Sequence, residues 1–128
     1  MNLKSFTKVV HEFPARNIIG QGTTIKGDIE SSGDFRIDGL LTGSIKVGGR
    51  LVIGPSGVVG GSIVCQNADI SGQVKANIKV DELTSLKSTA SIEGDLETSR
   101  LTIEVGAKFR GKCMMTDLAE KHNDSTQQ

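Results

Sequence analysis

The sequence predicts an all-β fold, a single-stranded right-handed parallel β-helix (solenoid) of about six turns with short flexible tails. Three observations carry that expectation. A short unit recurs at nearly constant spacing, apolar residues alternate with a period of two inside each unit, and turn residues separate the units.

The unit is apolar-x-Gly-x-apolar. It reads Ile25-x-Gly27-x-Ile29, Leu41-x-Gly43-x-Ile45 and Val59-x-Gly61-x-Ile63, then Val74-x-Ala76-x-Ile78, Ile92-x-Gly94-x-Leu96 and Phe109-x-Gly111-x-Cys113. Its centres step by 16, 18, 15, 18 and 17 residues. Most units follow an apolar-x-apolar triplet: Phe35-x-Ile37, Leu51-x-Ile53, Ala68-x-Ile70 and Leu101-x-Ile103. One turn departs, with Leu83 and Leu86 filling this region out of register. Turns fall at Ser31-Ser32-Gly33, Asp38-Gly39, Gly48-Gly49, Gly54-Pro55-Ser56-Gly57 and Ser71-Gly72.

A period of two means strands, with the apolar residues and the central glycine on one face. Glycine or alanine at that place marks a crowded corner. The other parity carries Lys26, Asp28, Arg36, Lys46, Lys79, Glu93 and Lys112, so that face is wet. Turns stacked about 4.8 Å apart make a rod of roughly 29 Å. A sandwich or meander would need neither the constant spacing nor the recurring glycine. Parallel crossovers are overwhelmingly right-handed, and the uneven steps break the six-residue spacing of left-handed hexapeptide solenoids.

The domain plan is an N-terminal tail over 1–16, a β-helix core over 17–116 and a disordered C-terminal tail over 117–128. In the first tail Leu3, Phe6, Val9, Val10 and Phe13 fall at helical spacing until Pro14, with Lys4 and Lys8 on the other side. So short a helix is marginal in water. A membrane surface would stabilise it through apolar insertion and attraction to anionic lipid. The segment therefore reads as membrane-docking, against a plain disordered tail or a solenoid cap.

The ends of a solenoid expose strand edges and half-covered apolar residues unless capped. Neither end carries an evident polar cap. Ile18, Ile19 and Ile25 at one end, and Leu101, Ile103 and Phe109 at the other, are the candidate polymerisation residues. The partner this implies is a second copy of the chain.

Charge and chemistry exclude other classes. Fifteen Lys and Arg balance fifteen Asp and Glu. Zero net charge argues against a general nucleic-acid binder and lowers the barrier to self-association. No apolar run approaches the roughly 18 residues of a membrane span, and residues 1–16 lack the apolar stretch of a secretory signal. Two cysteines are too few for a disulfide scaffold, which points to a reducing, cytoplasmic setting. The only histidines, His11 and His122, lie in the tails, so no wall histidine is available as an acyltransferase base. Cys65 and Cys113 take inward positions roughly 14 Å apart, too far for a disulfide. Without nearby histidine they make no zinc site, and both read as buried small hydrophobes. The glycine clusters Gly54–Gly57 and Gly60–Gly61 lack the spacing of a phosphate loop. The absence of Trp and Tyr removes stacking platforms for sugars or single strands. No catalytic residue, metal ligand or cofactor site is expected.

Gly22–Gly27 running into Asp28-Ile29, Phe35-Arg36-Ile37-Asp38-Gly39, Leu51-Val52-Ile53-Gly54 and above all Arg100 through Cys113 resemble, in order along the rod, the bactofilins, a bacterial family of polymer-forming cytoskeletal proteins. The resemblance spans about residues 17–115. It implies a right-handed β-helix that assembles end to end without nucleotide into filaments usually described as non-polar. It also implies attachment to the inner face of the cytoplasmic membrane through a short apolar N-terminal segment. The family scaffolds cell-shape and envelope functions, often by localising peptidoglycan enzymes. Leu3 to Phe13 fits the membrane segment by position and character, and Phe109 fits the family's apolar end position. The long proline-rich or charged tails of some members are missing, so the resemblance implies no partner recognised through them. The competing class is a discrete oligomeric β-solenoid that acts as a binding or acyltransferase-like module.

Overall fold

The computed structural model describes residues 16–116. Eight strands follow one another: β1 (Arg16–Ile19), β2 (Thr24–Ser31), β3 (Asp34–Ile37), β4 (Leu40–Ile53), β5 (Val58–Ile70), β6 (Gln73–Leu86), β7 (Ser91–Ile103) and β8 (Lys108–Met115). Every pairing is parallel. Strands β4 through β7 each pair along almost their whole length with the strand one turn away, so the chain is a parallel β-solenoid of about six turns.

Each turn has three straight stretches, here called walls. The first wall begins with 24–26, the second with 28–31 and the third with 16–19 and 34–37. The corner between the first two walls is the recurring glycine. Gly27, Gly43, Gly61, Gly94 and Gly111 all have φ between +124° and +140°. Side chains rarely adopt that conformation, so the repeat glycine is the residue that bends the coil. Space demands it as well. A Cβ on Gly111 would collide with the carbonyl of Gly94 one turn below, and one on Gly94 with that of Ala76. Ala76 takes the corner without a positive φ, and the β6–β7 ladder skips Ala76 and Asn77 there.

The second corner is a bulge of varying size. It interrupts the register between Val47 and Arg50, between Cys65 and Asn67, and between Val80 and Leu83. This variation and the turns of the third corner explain the uneven sequence step. The third corner is hydrogen-bonded from turn to turn, as in Asp38 N to Ile19 O at 2.8 Å and Ser71 N to Ile53 O at 2.8 Å.

The core consists of columns of inward side chains. Ile19, Ile37, Ile53, Ile70, Leu86 and Ile103 stack in one, and Ile29, Ile45, Ile63, Ile78, Leu96 and Cys113 in another. All inner members of both columns are buried. Each such side chain contributes roughly 1.5–3 kcal/mol by leaving water.

One expectation fails. The sequence suggests that Leu83 and Leu86 fill their turn out of register. In the fold Thr84 and Leu86 take the inward positions, Thr84 pairing with Ala68 and Leu101, while Leu83 pairs with Asn67 and Arg100 on the outer side. Thr84 is accommodated because its Oγ1 donates to Thr98 Oγ1 at 3.0 Å. Thr98 in turn reaches the Arg100 carbonyl at 2.9 Å and that of Glu82 at 3.3 Å. A buried hydroxyl with a partner is tolerable where an orphaned one is not.

Candidate assembly interface

Both ends of the rod present strand edges. Among the described residues β8 pairs only with β7, β1 only with β3, and β2 only with β4. The outer N–H and C=O groups of β1, β2 and β8 therefore have no strand beyond them among the described residues, which makes each end a template for another sheet edge.

The C-terminal end is the more apolar. Leu101 and Phe109 are half-buried and packed on the core. Ile103, directly above the buried Leu86, is 54% exposed because no turn covers it. Met115 is 50% exposed above Thr98 for the same reason, and Val105 projects from the adjoining turn. Cys113 also ends its column and is exposed, not buried as its inward parity suggests. Parity assigns the face correctly, but burial needs a further turn on top.

The N-terminal end is less open. Ile19 is buried, and Ile25 and Ile29 are partly buried against the core. Ile18 differs from its companions. It lines up with Arg36 and Val52 on the outer surface of the third wall and is largely exposed. The inward neighbour of Ile19 is Asn17, paired with Phe35, and its amide donates to Ser31 Oγ at 3.1 Å. Asn17 is thus a polar lid over one inward column. The sequence signal is present, since Asn17-x-Ile19 aligns with Phe35-x-Ile37. The membrane-docking residues Leu3, Lys4, Phe6, Lys8, Val9, Val10 and Phe13 lie outside the described residues.

The walls between the ends offer little reactive chemistry. Cys65 is buried, and loss of solvation, with a smaller contribution from the Asp81 charge, pushes its thiol up to about 12. It stays neutral and unreactive at ordinary pH. The hydrogen bond and charge of Asp38 hold the Arg36 guanidinium above its usual range, with Nε to Oδ2 at 2.8 Å. Among the described residues no group of three or more His, Cys, Asp or Glu is placed to hold a metal ion. Nor is any helix among them long and apolar enough to cross a membrane.

Comparison with known proteins places this architecture. A family model described as bactofilin, polymer-forming cytoskeletal, matches residues 17–114. Bactofilin BacO of Myxococcus xanthus is 35% identical over 107 residues, which are 84% of either chain. Bactofilin BacP of the same organism is 32% identical over 101 residues, 79% of this chain and 42% of BacP. The crystal structure of a phenylalanine-to-arginine mutant of the bactofilin from Thermus thermophilus superposes with a TM-score of 0.65 at 34% identity, covering 70% of this chain and 98% of that one. With its solenoid fold, the chain belongs to the bactofilin family of polymer-forming cytoskeletal proteins.

Proposed function

We propose that the chain assembles end to end into filaments without nucleotide or other cofactor, on the cytoplasmic face of the membrane, and there organises cell-shape or envelope machinery. The observation that carries this reading is the uncovered last turn. Ile103, Met115 and the half-buried Leu101 and Phe109 sit beside the free edge of β8. Another sheet edge placed there would satisfy the strand and bury those side chains together. Leu101, Ile103 and Phe109 form one joining surface, with the partly buried Ile25 at the opposite end, where Ile19 is already buried. Ile18 contributes from the rim.

The segment from Leu3 to Phe13 holds the polymer to lipid. One copy binds weakly, and many copies along a filament add up. Peptidoglycan-modifying enzymes are the partner class such a scaffold would localise. The protein works as a scaffold and not as an enzyme, in keeping with its family.

Negative-stain electron microscopy of the full chain, without nucleotide or metal, tests the reading. Uniform thin filaments are expected. Phe109→Asp should abolish them while leaving the β-rich circular dichroism unchanged. Discrete particles from the parent chain at high concentration would favour the oligomeric binding module instead.

A further inference from the structure

The zero net charge of the chain conceals an uneven distribution over the walls. On the first wall the outward residues form two rows. One runs Thr24, Leu40, Val58, Gln73, Ser91 and Lys108, and the other Lys26, Thr42, Gly60, Lys75, Glu93 and Arg110. These rows hold four cations and one anion. The second wall carries Lys46, Lys79 and Lys112 against Asp28, Glu30, Asp95 and Glu97. The third carries Arg36, Arg50 and Arg100, with Arg16 in register with Asp34, against Asp34, Asp69 and the Asp38 paired with Arg36. The first wall thus has the largest excess of one sign.

Its single carboxylate offsets only part of that sign, leaving an excess of three cations. Glu93 lies between Lys75 and Arg110 in the register, yet none of the three forms an ion pair within 4.0 Å among the described residues. All four cations are exposed. Leu40, 37% exposed, and Val58, partly exposed, stand side by side between the levels of Lys26 and Lys75. The wall is therefore a narrow strip of stacked strands with cations toward both ends and aliphatic side chains between.

We propose that this first wall is a second membrane contact, separate from the N-terminal segment, which lays the rod lengthwise on anionic lipid. A bilayer rich in anionic headgroups matches the strip on both counts. Its phosphates attract Lys26, Lys75, Lys108 and Arg110, and its interfacial region accepts Leu40 and Val58. A nucleic-acid backbone would use the charge but gain nothing from the aliphatic pair. In a polymer the strip recurs in every subunit, so a weak contact per copy becomes firm.

Sedimentation of the full chain with phosphatidylcholine vesicles, with and without phosphatidylglycerol, tests the proposal. Three variants are compared: Lys26→Gln/Lys75→Gln/Arg110→Gln on the first wall, Lys46→Gln/Lys79→Gln on the second, and Phe6→Ser/Phe13→Ser in the N-terminal segment. The first-wall variant should bind anionic vesicles roughly fivefold more weakly per charge removed. The second-wall variant should bind like the parent. The Phe6/Phe13 variant should keep a salt-sensitive preference for anionic vesicles, even if the docking role of its segment proves wrong. Lys75→Gln alone, a single exposed change, gives a smaller loss and guards against misfolding of the triple variant. Filament counts by electron microscopy and circular dichroism are recorded for each, so that lost avidity is told from lost contact. Equal binding by the parent and first-wall variants overturns the proposal. So does equal weakening by the second-wall variant, or a preference of the parent for duplex DNA over anionic vesicles.

Discussion

A side chain on Gly61 would drive its Cβ into the carbonyl oxygen of Gly43, directly below it in the adjacent turn. The corner glycine therefore answers to two constraints, a positive φ and a backbone packed against it.

The two constraints separate at the start of the rod. Gly27 has φ +140°, but among the described residues a methyl group placed on it would meet nothing within 4 Å. Gly27→Ala should cost about 1–3 kcal/mol, the conformational strain alone. Gly61→Ala adds the collision and should cost about 4 kcal/mol or more. Urea unfolding of the two variants measures the difference, and equal values would deny the collision any weight.

Thr84 and Thr98 form a buried hydroxyl pair in an otherwise apolar core. Thr98→Val leaves the Thr84 hydroxyl and the Arg100 carbonyl without this partner, and should cost about 1–3 kcal/mol. Adding Thr84→Val should recover part of that loss, since two apolar groups of the same shape leave no stranded hydroxyl. Chemical denaturation of both single variants and the double variant tests the coupling.

The two cysteines should behave oppositely. Cys113 is exposed and Cys65 buried, so in the unassembled Phe109→Asp variant a thiol reagent at pH 8 should label Cys113 quickly and Cys65 only on unfolding, while assembly of the parent chain should slow labelling of Cys113. Burial holds the Cys65 thiol protonated up to about 12, against 9.0 for the free group. Below pH 9 both states are protonated and the stabilisation is fully present. Between 9 and about 12 the unfolded thiol ionises while the folded one does not, so stability falls as pH rises. Cys65→Ala should lose stability at neutral pH yet show a shallower decline over that window. Thermal melts across the range give the comparison.

Arg50 and Asp69 form an ion pair of 2.7 Å on the third wall, with side chains 49% and 28% exposed. Water screens such a pair, so Asp69→Asn should cost less than about 1 kcal/mol. A larger loss in urea unfolding would mean that the pair orders the wall.

Much of this architecture is legible in the chain because the repeat glycine and the period-two alternation are written there. Phe35, Ile37, Leu51, Ile53, Ala68 and Ile70 lie in the columns that their spacing predicts. The fifth turn escapes that reading because Thr84 is polar. Its inward place depends on a hydroxyl partner at Thr98, fourteen residues on, which no hydrophobic pattern reveals. Composition groups Ile18 with Ile19, yet adjacent strand residues face opposite sides. Cys113 shows the limit of parity, since the side of a sheet can be read from spacing but the presence of a covering turn cannot. The charge of the first wall is hidden because its cations are scattered in sequence and meet only when turns stack.

The in-register corners make the turn a countable unit. Gly43 and Gly61 occupy equivalent places 18 residues apart. Excising residues 43–60 would join Thr42 to Gly61 and leave every remaining side chain facing as before. The product would be a rod shorter by about 4.8 Å with the same two ends. Length in this protein is thus an adjustable quantity, set by how many times one motif is copied, while the surfaces at the termini of the stack stay unchanged.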